Sequence, residues 1–387
     1  MPEVKYDIII CGGGLAGLSL LYRAMKSGVW SGKQIIVIDR SEKRENDKTW
    51  SFWKKDKVDF EEIIHHQWSD LYFFSNAGQK THLETRGYTY NSIRSIDFYN
   101  DVFAYLRQFA HIRFVIGDIL SVSSSADDCT VVTDAGTYTG NYVFNSIYHI
   151  PAPVKDEQYF MQHFKGWRIK TDFAVPAVSS AYLMDFRTGQ EHGTTFFYTL
   201  PMAEDELFIE YTLFTKSLLK SEEYDQKIRL YLNEVLNIGS YQVLEEEYGV
   251  IPMTDHAFKR FEGRMIFIGT AGGDTRASTG YTFMNTQKTI SKILDSYASE
   301  GHPFFTEENT SVKHQLYDTT LLNVLDKGKY QGHQLFSDLF SNTPAYYIFG
   351  FLDAETNLLQ DIRIMKSLKV MPFLISFVQA VFRKIKY

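Results

Sequence analysis

The stretch YDIIICGGGLAGLSLLYRAMKSG, residues 6–28, restricts the chain to very few folds. Ile8, Ile9 and Ile10 form a continuous β-branched run, as expected of a strand buried on both faces. Gly12, Gly14 and Gly17 follow with G-x-G-x-x-G spacing, and Leu18, Leu20, Leu21, Ala24 and Met25 continue as a helix. KQIIVID, residues 33–39, reads as a second buried strand ending in Asp39, 22 residues after Gly17. Strand, glycine turn, helix, strand and acid make the unit that binds a dinucleotide. Gly12 permits the tight turn, Gly14 lets the backbone approach a pyrophosphate, and Gly17 lets helix and strand pack closely. The helix N-terminus faces the phosphate charge, and Asp39 accepts from a ribose hydroxyl. The motif serves NAD and FAD alike; its place at the N-terminus favours FAD by analogy with other flavoproteins.

A second passage of the same style is GRMIFIGTAGGDTRASTGYTF, residues 263–283. Met265–Ile268 reads as a buried strand. Gly272, Gly273, Asp274 and Gly280 lie in a glycine-rich loop, and a helix is expected to about Ser296. Such a helix N-terminus can approach the cofactor and favour negative charge there. Between these passages, residues 92–109 read as a helix from about Asp97, with Asp97 as N-cap. Residues 111–147 read as short strands. Residues 151–250 are dominated by strand-like pieces (GWRIKTDF, SSAYLMDFR, TTFFYTLP, ELFIEYTLF) and predict an inserted antiparallel sheet; a helix follows over 221–237. Glu245, Glu246 and Glu247 read as solvated surface, and His65–His66 as structural.

The expected class is therefore α/β. A Rossmann-like FAD-binding domain is built from 1–50, 90–150 and 262–300. A substrate-binding sheet domain comprises 51–89 and 151–261. The region 301–387 is helical. In that region VMPFLISFVQAVF, residues 370–382, is almost wholly apolar and is followed by Arg383, Lys384 and Lys386. It is too short to span a bilayer, and it fits either an interfacial helix or a helix docked on the protein's own core.

Composition narrows the function. A net charge of −7 argues against a nucleic-acid partner. Two cysteines, Cys11 and Cys129, form neither a disulfide framework nor a zinc cluster, so no metal is expected and a reducing, cytosolic setting fits. Aromatic residues make up 16% of the chain, enough to fill a large core or line a long apolar pocket. Trp50, Phe52 and Trp53, in NDKTWSFW, suggest a segment packed against something flat. In LFIEYTLF, residues 207–214, a lone acid, Glu210, sits among apolar residues. Strand alternation puts Phe208, Glu210, Thr212 and Phe214 on one face. Burial there would keep the carboxyl protonated near neutral pH.

Taken in order, CGGGLAGLS, KTWSFW, QHFKGWRI, MDFR, FFYTLP, ELFIEYT, EEEYGVIPMT and GTAGGDTRASTGYTF resemble the bacterial FAD-dependent lycopene β-cyclases of carotenoid synthesis, over nearly the whole chain. The resemblance implies cyclisation of linear lycopene ends to β-ionone rings, with reduced FAD, NAD(P)H as reductant and no net redox change. It implies that Glu210 is the catalytic acid. It places Phe208, Tyr211 and Thr212, with Trp50, Phe52 and Trp53, in the substrate pocket. It also implies a cytoplasmic protein, peripheral on the inner face of the membrane where lycopene is dissolved. Two positions depart from the pattern. Tyr211 stands where many members have a second acid, and Asn145, in FNSIY, stands where many flavoproteins of this kind have an Asp-Gly pair. A flavin-dependent prenyl reductase, an FAD monooxygenase or halogenase, and a polyene carrier with a vestigial flavin site are the alternatives.

Overall fold

The computed structural model describes residues 5–150, 157–175, 178–306 and 312–386; the side chains of Lys384 and Lys386, part of the expected basic end, lie outside what is described. The fold is mixed α/β, as expected. Its first sheet has five parallel strands in the spatial order Ile112–Ile116, Ile35–Asp39, Lys5–Cys11, Gly136–Asn145, Met265–Phe267. The short strand Phe261–Glu262 pairs antiparallel at the outer edge. The central strand Lys5–Cys11 carries the β-branched run Ile8–Ile10, fully buried because both sheet faces are covered.

One face carries the helices Leu15–Lys26, Ser95–Leu106 and Phe283–Glu300, which share a core with Ile8, Ile10, Ile35 and Val37. The other face is covered by the meander Ile119–Ser124, Cys129–Thr133 and the start of Gly136–Asn145, packed on Ile9, Ile36 and Ile38. Both cysteines are buried in this second layer and are free. Asp97 is not the N-cap of its helix. The helix begins at Ser95, and Asp97 instead accepts from Arg94 Nε and Nη2 at 2.8 and 2.9 Å.

The second sheet has seven strands, in the order Tyr241–Thr254, Tyr159–Thr171, Glu206–Thr215, Thr194–Ala203, Ser180–Asp185, Asp70–Phe74, Lys80–His82. It is not purely antiparallel, since Ser180–Asp185 pairs parallel with Asp70–Phe74. Helix Ser221–Leu230, extended through Val235 by a wider turn, covers one face over Trp167, Ile169, Ile209 and Tyr211. The opposite face meets the C-terminal helices through Phe340, Ala345, Ile348 and Phe349. A third sheet, Thr49–Lys54, Thr89–Arg94 and His66–Trp68, was not anticipated. It pairs segments that the sequence reading had divided between two domains.

The C-terminal region consists of Val312–Asp326, Gly332–Asn342, Ala345–Leu352, Leu358–Lys366 and Val370–Lys386. Among the described residues no helix is long and apolar enough to cross a membrane, and no group of three metal-ligating side chains occurs.

Candidate active site

The first glycine turn is an open cradle. Gly12 has φ +98°, a conformation that favours glycine, and a Cβ there would lie 2.2 Å from Ser146 Oγ. At Gly17 a Cβ would lie 2.1 Å from Gly12 O and 2.8 Å from an Ile10 methyl, so helix and strand meet backbone to side chain. Gly14 is different: apart from its own chain neighbours, no described residue comes within 4 Å of its missing Cβ. It is the N-cap residue of Leu15–Lys26, so the free N–H groups of the first helical turn face the same open space. Asp39 closes the cradle. Its Oδ2 accepts from Gly13 N at 2.7 Å and its Oδ1 from Ser41 N at 2.8 Å. An unfilled volume over a helix N-terminus, with a carboxylate at the neighbouring strand end, fits a dinucleotide pyrophosphate and ribose. Asn145 ends the adjacent parallel strand, and its Oδ1 accepts from Ile147 N at 2.9 Å.

The second glycine loop brings the two large sheets together. Asp274 is buried, and its oxygens accept from Arg260 Nη2, Thr289 Oγ1 and Gly269 N, each at 2.7 Å. Its carboxylate pins the loop from inside through these three partners. Gly272 is likewise required by packing, since a Cβ would lie 2.2 Å from Phe267 O. Gly273 turns the chain at φ +82°, and at Gly280 (φ +72°) a Cβ would lie 2.4 Å from Gln162 Oε1. The loop thus presses directly on strand Tyr159–Thr171. The next residue, Tyr281, is thereby delivered to the face of the second sheet.

Glu210 lies on that face. Its strand partners in register are Tyr198 on one side and Gly166 on the other. Thr212 Oγ1 donates to Glu210 Oε1 at 2.6 Å. The side chain is half-buried. Burial pushes its carboxyl up to about 8; the Thr212 hydrogen bond opposes this and the charge of Glu247 adds to it. Three tyrosines gather beside it. Tyr281 OH lies 3.3 Å from Tyr90 OH and 3.5 Å from Tyr198 OH. Burial holds all three phenols above their usual range, and the Glu210 charge contributes at Tyr90 and Tyr198. The arrangement offers a protonated carboxylic acid beside aromatic faces, between the sheet and the second glycine loop.

The anticipated pocket residues do not all meet there. Phe208 and Thr212 share the Glu210 face, Thr212 as the hydrogen-bond partner of the acid. Tyr211 points the other way, into the core under helix Ser221–Leu230, because adjacent strand residues alternate. Trp53 packs against Tyr281 with ring centroids 4.2 Å apart and planes inclined at 59°, and donates from Nε1 to Asp353 Oδ2 at 2.6 Å. Trp50 and Phe52 alternate away from it. Trp50 packs edge-on against Phe98 at 5.3 Å, and Phe52 lies flat on Phe283 at 4.3 Å, both in the core of the first sheet.

Residues 245–247 are not simply solvated. Glu245 pairs with Arg168 at 2.8 Å, Glu246 with Lys165 at 3.0 Å, and Glu247 accepts from Thr49 N at 2.9 Å. Tyr90, Tyr198 and Glu247 were missed because nothing local distinguishes them; only the pairing of distant strands brings them to Glu210. His65 and His66 contact Asp97 and the Val178 carbonyl.

Comparison of whole structures places the chain among flavoproteins in fold. A flavoprotein/dehydrogenase from Cytophaga hutchinsonii superposes with a TM-score of 0.64 at 12% identity, over 97% of this chain and 100% of that one. A geranylgeranyl bacteriochlorophyll reductase-like protein from Thermoplasma acidophilum gives 0.58 at 11% identity, over 98% and 96%. A variant of the halogenase PltM in complex with FAD gives 0.56 at 13% identity, over 90% and 79%. A search of curated proteins by sequence gives no match. Among protein families, residues 7–379 match the one described as lycopene cyclase protein.

Proposed function

We propose, from the premise that this chain belongs to the lycopene cyclase protein family, that it closes the linear ends of lycopene into β-ionone rings, giving γ- and then β-carotene. The observation that carries this reading is Glu210: a carboxyl group held protonated up to about pH 8, beside a tyrosine cluster and the second glycine loop. An isolated alkene is a poor base. It needs an acid kept neutral by its surroundings and aimed from a site with little water.

In the proposed step the Glu210 proton passes to C2 of the end group, forming a C–H bond and leaving a cation at C1. The C5–C6 double bond attacks, so C6 bonds to C1 and the charge moves to C5. Transfer of the C6 proton to the Glu210 carboxylate left by the first step makes the ring double bond and restores the acid. One proton enters and one leaves, with no electrons exchanged. Thr212 holds the carboxyl through Oε1, leaving Oε2 to deliver the proton. The Tyr90, Tyr198 and Tyr281 rings offer faces to the passing cation. The cradle at Gly12, Gly14, Gly17 and Asp39 suits FAD. When bound and reduced by NAD(P)H, FAD supplies an anionic ring that stabilises that cation.

A lipid-dissolved substrate suits a peripheral position on the inner face of the cytoplasmic membrane. The exposed apolar residues of Leu358–Lys366 and Val370–Lys386 provide a contact surface for it.

Pigment analysis tests the reading. Expression in a bacterial host that accumulates lycopene should replace it with γ- and β-carotene of unchanged mass. Lycopene left intact in cells containing flavin-loaded protein would overturn the assignment. A product two hydrogens heavier would mark a reductase, and one carrying oxygen a monooxygenase.

A further inference from the structure

We propose that Glu247 is a positioning residue that governs the protonation of Glu210 across the gap left by Gly166. The proposal rests on the reading of Glu210 as the reaction's acid. Strand Tyr159–Thr171 runs between Glu206–Thr215 and Tyr241–Thr254, and its Gly166 is in register with Glu210 on one side and Glu247 on the other. Residues in register on neighbouring strands project to the same face. The two carboxylates therefore share a face, two strand spacings apart, roughly 9.5 Å at the backbone.

Gly166 puts no side chain between them. The space above it is taken by the Phe208 ring, whose Cζ would lie 2.5 Å from a Cβ at that position. An aromatic ring in place of water leaves the field between the two acids poorly screened. Glu247 is held in place by Thr49 N at 2.9 Å. It borders a cavity of about 30 Å³, room for roughly one water, together with Asn46, Ser92, Arg94 and Phe208. A carboxylate pair thus exists in this chain, but it is made across strands, not along one.

The other groups facing the pair are accounted for. Glu210 meets Tyr198 from its neighbouring strand and Tyr90 from the three-stranded sheet, and both phenols adjoin Tyr281 from the glycine loop. All three phenols are raised above their usual range and stay neutral through the working pH. Glu247 meets Lys48 and Asp47 from the segment before Thr49, with the Arg168–Glu245 pair and Arg94 beyond. Burial raises both carboxyls, and the Glu247 charge raises Glu210 further. In such a pair the ionisation of either acid opposes ionisation of the other.

The test is Glu247→Gln in the full chain loaded with FAD, with lycopene supplied in phospholipid vesicles. Glutamine keeps the acceptor for Thr49 N and removes the charge. The alkaline limb of the pH–rate profile should move down by on the order of one pH unit, the size of a charge felt across this distance in a protein interior. Glu247→Asp should restore much of it. The Glu210 carboxyl band, assigned by infrared difference against Glu210→Gln, should be lost at a correspondingly lower pH. That readout does not depend on turnover.

The coupling is reciprocal, so in Glu210→Gln the titration of Glu247 should also fall. This arm decides the matter if Glu247→Gln does not fold. A limb and band that stay in place, with Glu210→Gln inactive, would overturn the pairing and leave the acid role intact. An active Glu210→Gln would instead overturn the acid role.

Discussion

Glu210 takes up a proton when the chain folds. Its carboxyl titrates near 4.5 when free and is pushed up to about 8 in place. A raised folded value means that this contribution to stability is complete below about pH 4.5 and is lost as the pH rises through 8. Glu210→Gln should therefore melt at a higher temperature than the wild type at pH 9, and show no such gain at pH 4.5. Calorimetry at the two pH values checks this. The same variant should retain flavin and lose roughly 10²-fold or more in cyclisation rate, the scale of a removed acid–base group. Gly14→Val should fold, because its side chain enters space that no described residue occupies. It should purify without flavin, as absorbance would show; a yellow protein would count against the cradle. Both positions were readable from the sequence because their signals are local: a spacing, an alternation, one acid in an apolar run. Glu247 was not. A run of three acids looks solvated until the register shows that its members face different partners.

At the level of elements, the helices Leu358–Lys366 and Val370–Lys386 behave unlike the rest of the molecule. Leu359 is 80% exposed and Phe382 69%, alongside Leu358, Val370, Met371 and Leu374. Arg363, Lys366 and Lys369 are exposed among them. Basic residues bordering an apolar surface are the composition of an interfacial helix. Leu359→Glu combined with Phe382→Glu should abolish sedimentation with vesicles of phosphatidylglycerol and phosphatidylethanolamine. It should leave the melting temperature nearly unchanged, since exposed side chains contribute little to stability. Undiminished sedimentation would refute a lipid contact here. The sequence could place an apolar helix at 370–382 but not its environment. Periodicity gives a helix a face, and only the packed structure says what covers it. The three-stranded sheet escaped for a related reason. Its strands come from 49–54, 66–68 and 89–94, and the pairing that joins them is set by surroundings, not by their own residues.

For the whole molecule, the second glycine loop is a mechanical joint. Arg276, buried within it, donates from Nε and Nη2 to Asp318 at 3.3 and 3.2 Å and from Nη1 to the carbonyls of Phe351 and Leu352. A single side chain thus ties the loop to two C-terminal helices. Arg276→Met strands Asp318 and should cost about 3–5 kcal/mol, as losing one partner of a buried ion pair does. Hydrogen exchange should quicken first in Val312–Asp326 and Ala345–Leu352; uniform loosening would show that the joint is not special.

The first sheet carries a further consequence, in the order of synthesis. Its central strand, Lys5–Cys11, leaves the ribosome before the other strands of this sheet; Ile35–Asp39 follows soon after, but the other flank needs Gly136–Asn145, with Met265–Phe267 beyond it. The helix Leu15–Lys26 is held through Arg23 by Gln287 and Ser291. At 5–20 residues per second, the partners needed to complete this layer arrive roughly 15–60 s after the strand itself. Until then Ile8–Ile10 have only Ile35–Asp39 and the helix Leu15–Lys26 as native partners, and one edge of the strand stays unpaired. The nascent chain cannot take up a nucleotide at a cradle whose walls are still being made. The first glycine turn thus belongs to a layer that is completed only when the strand Met265–Phe267 and the helix Phe283–Glu300 have been made.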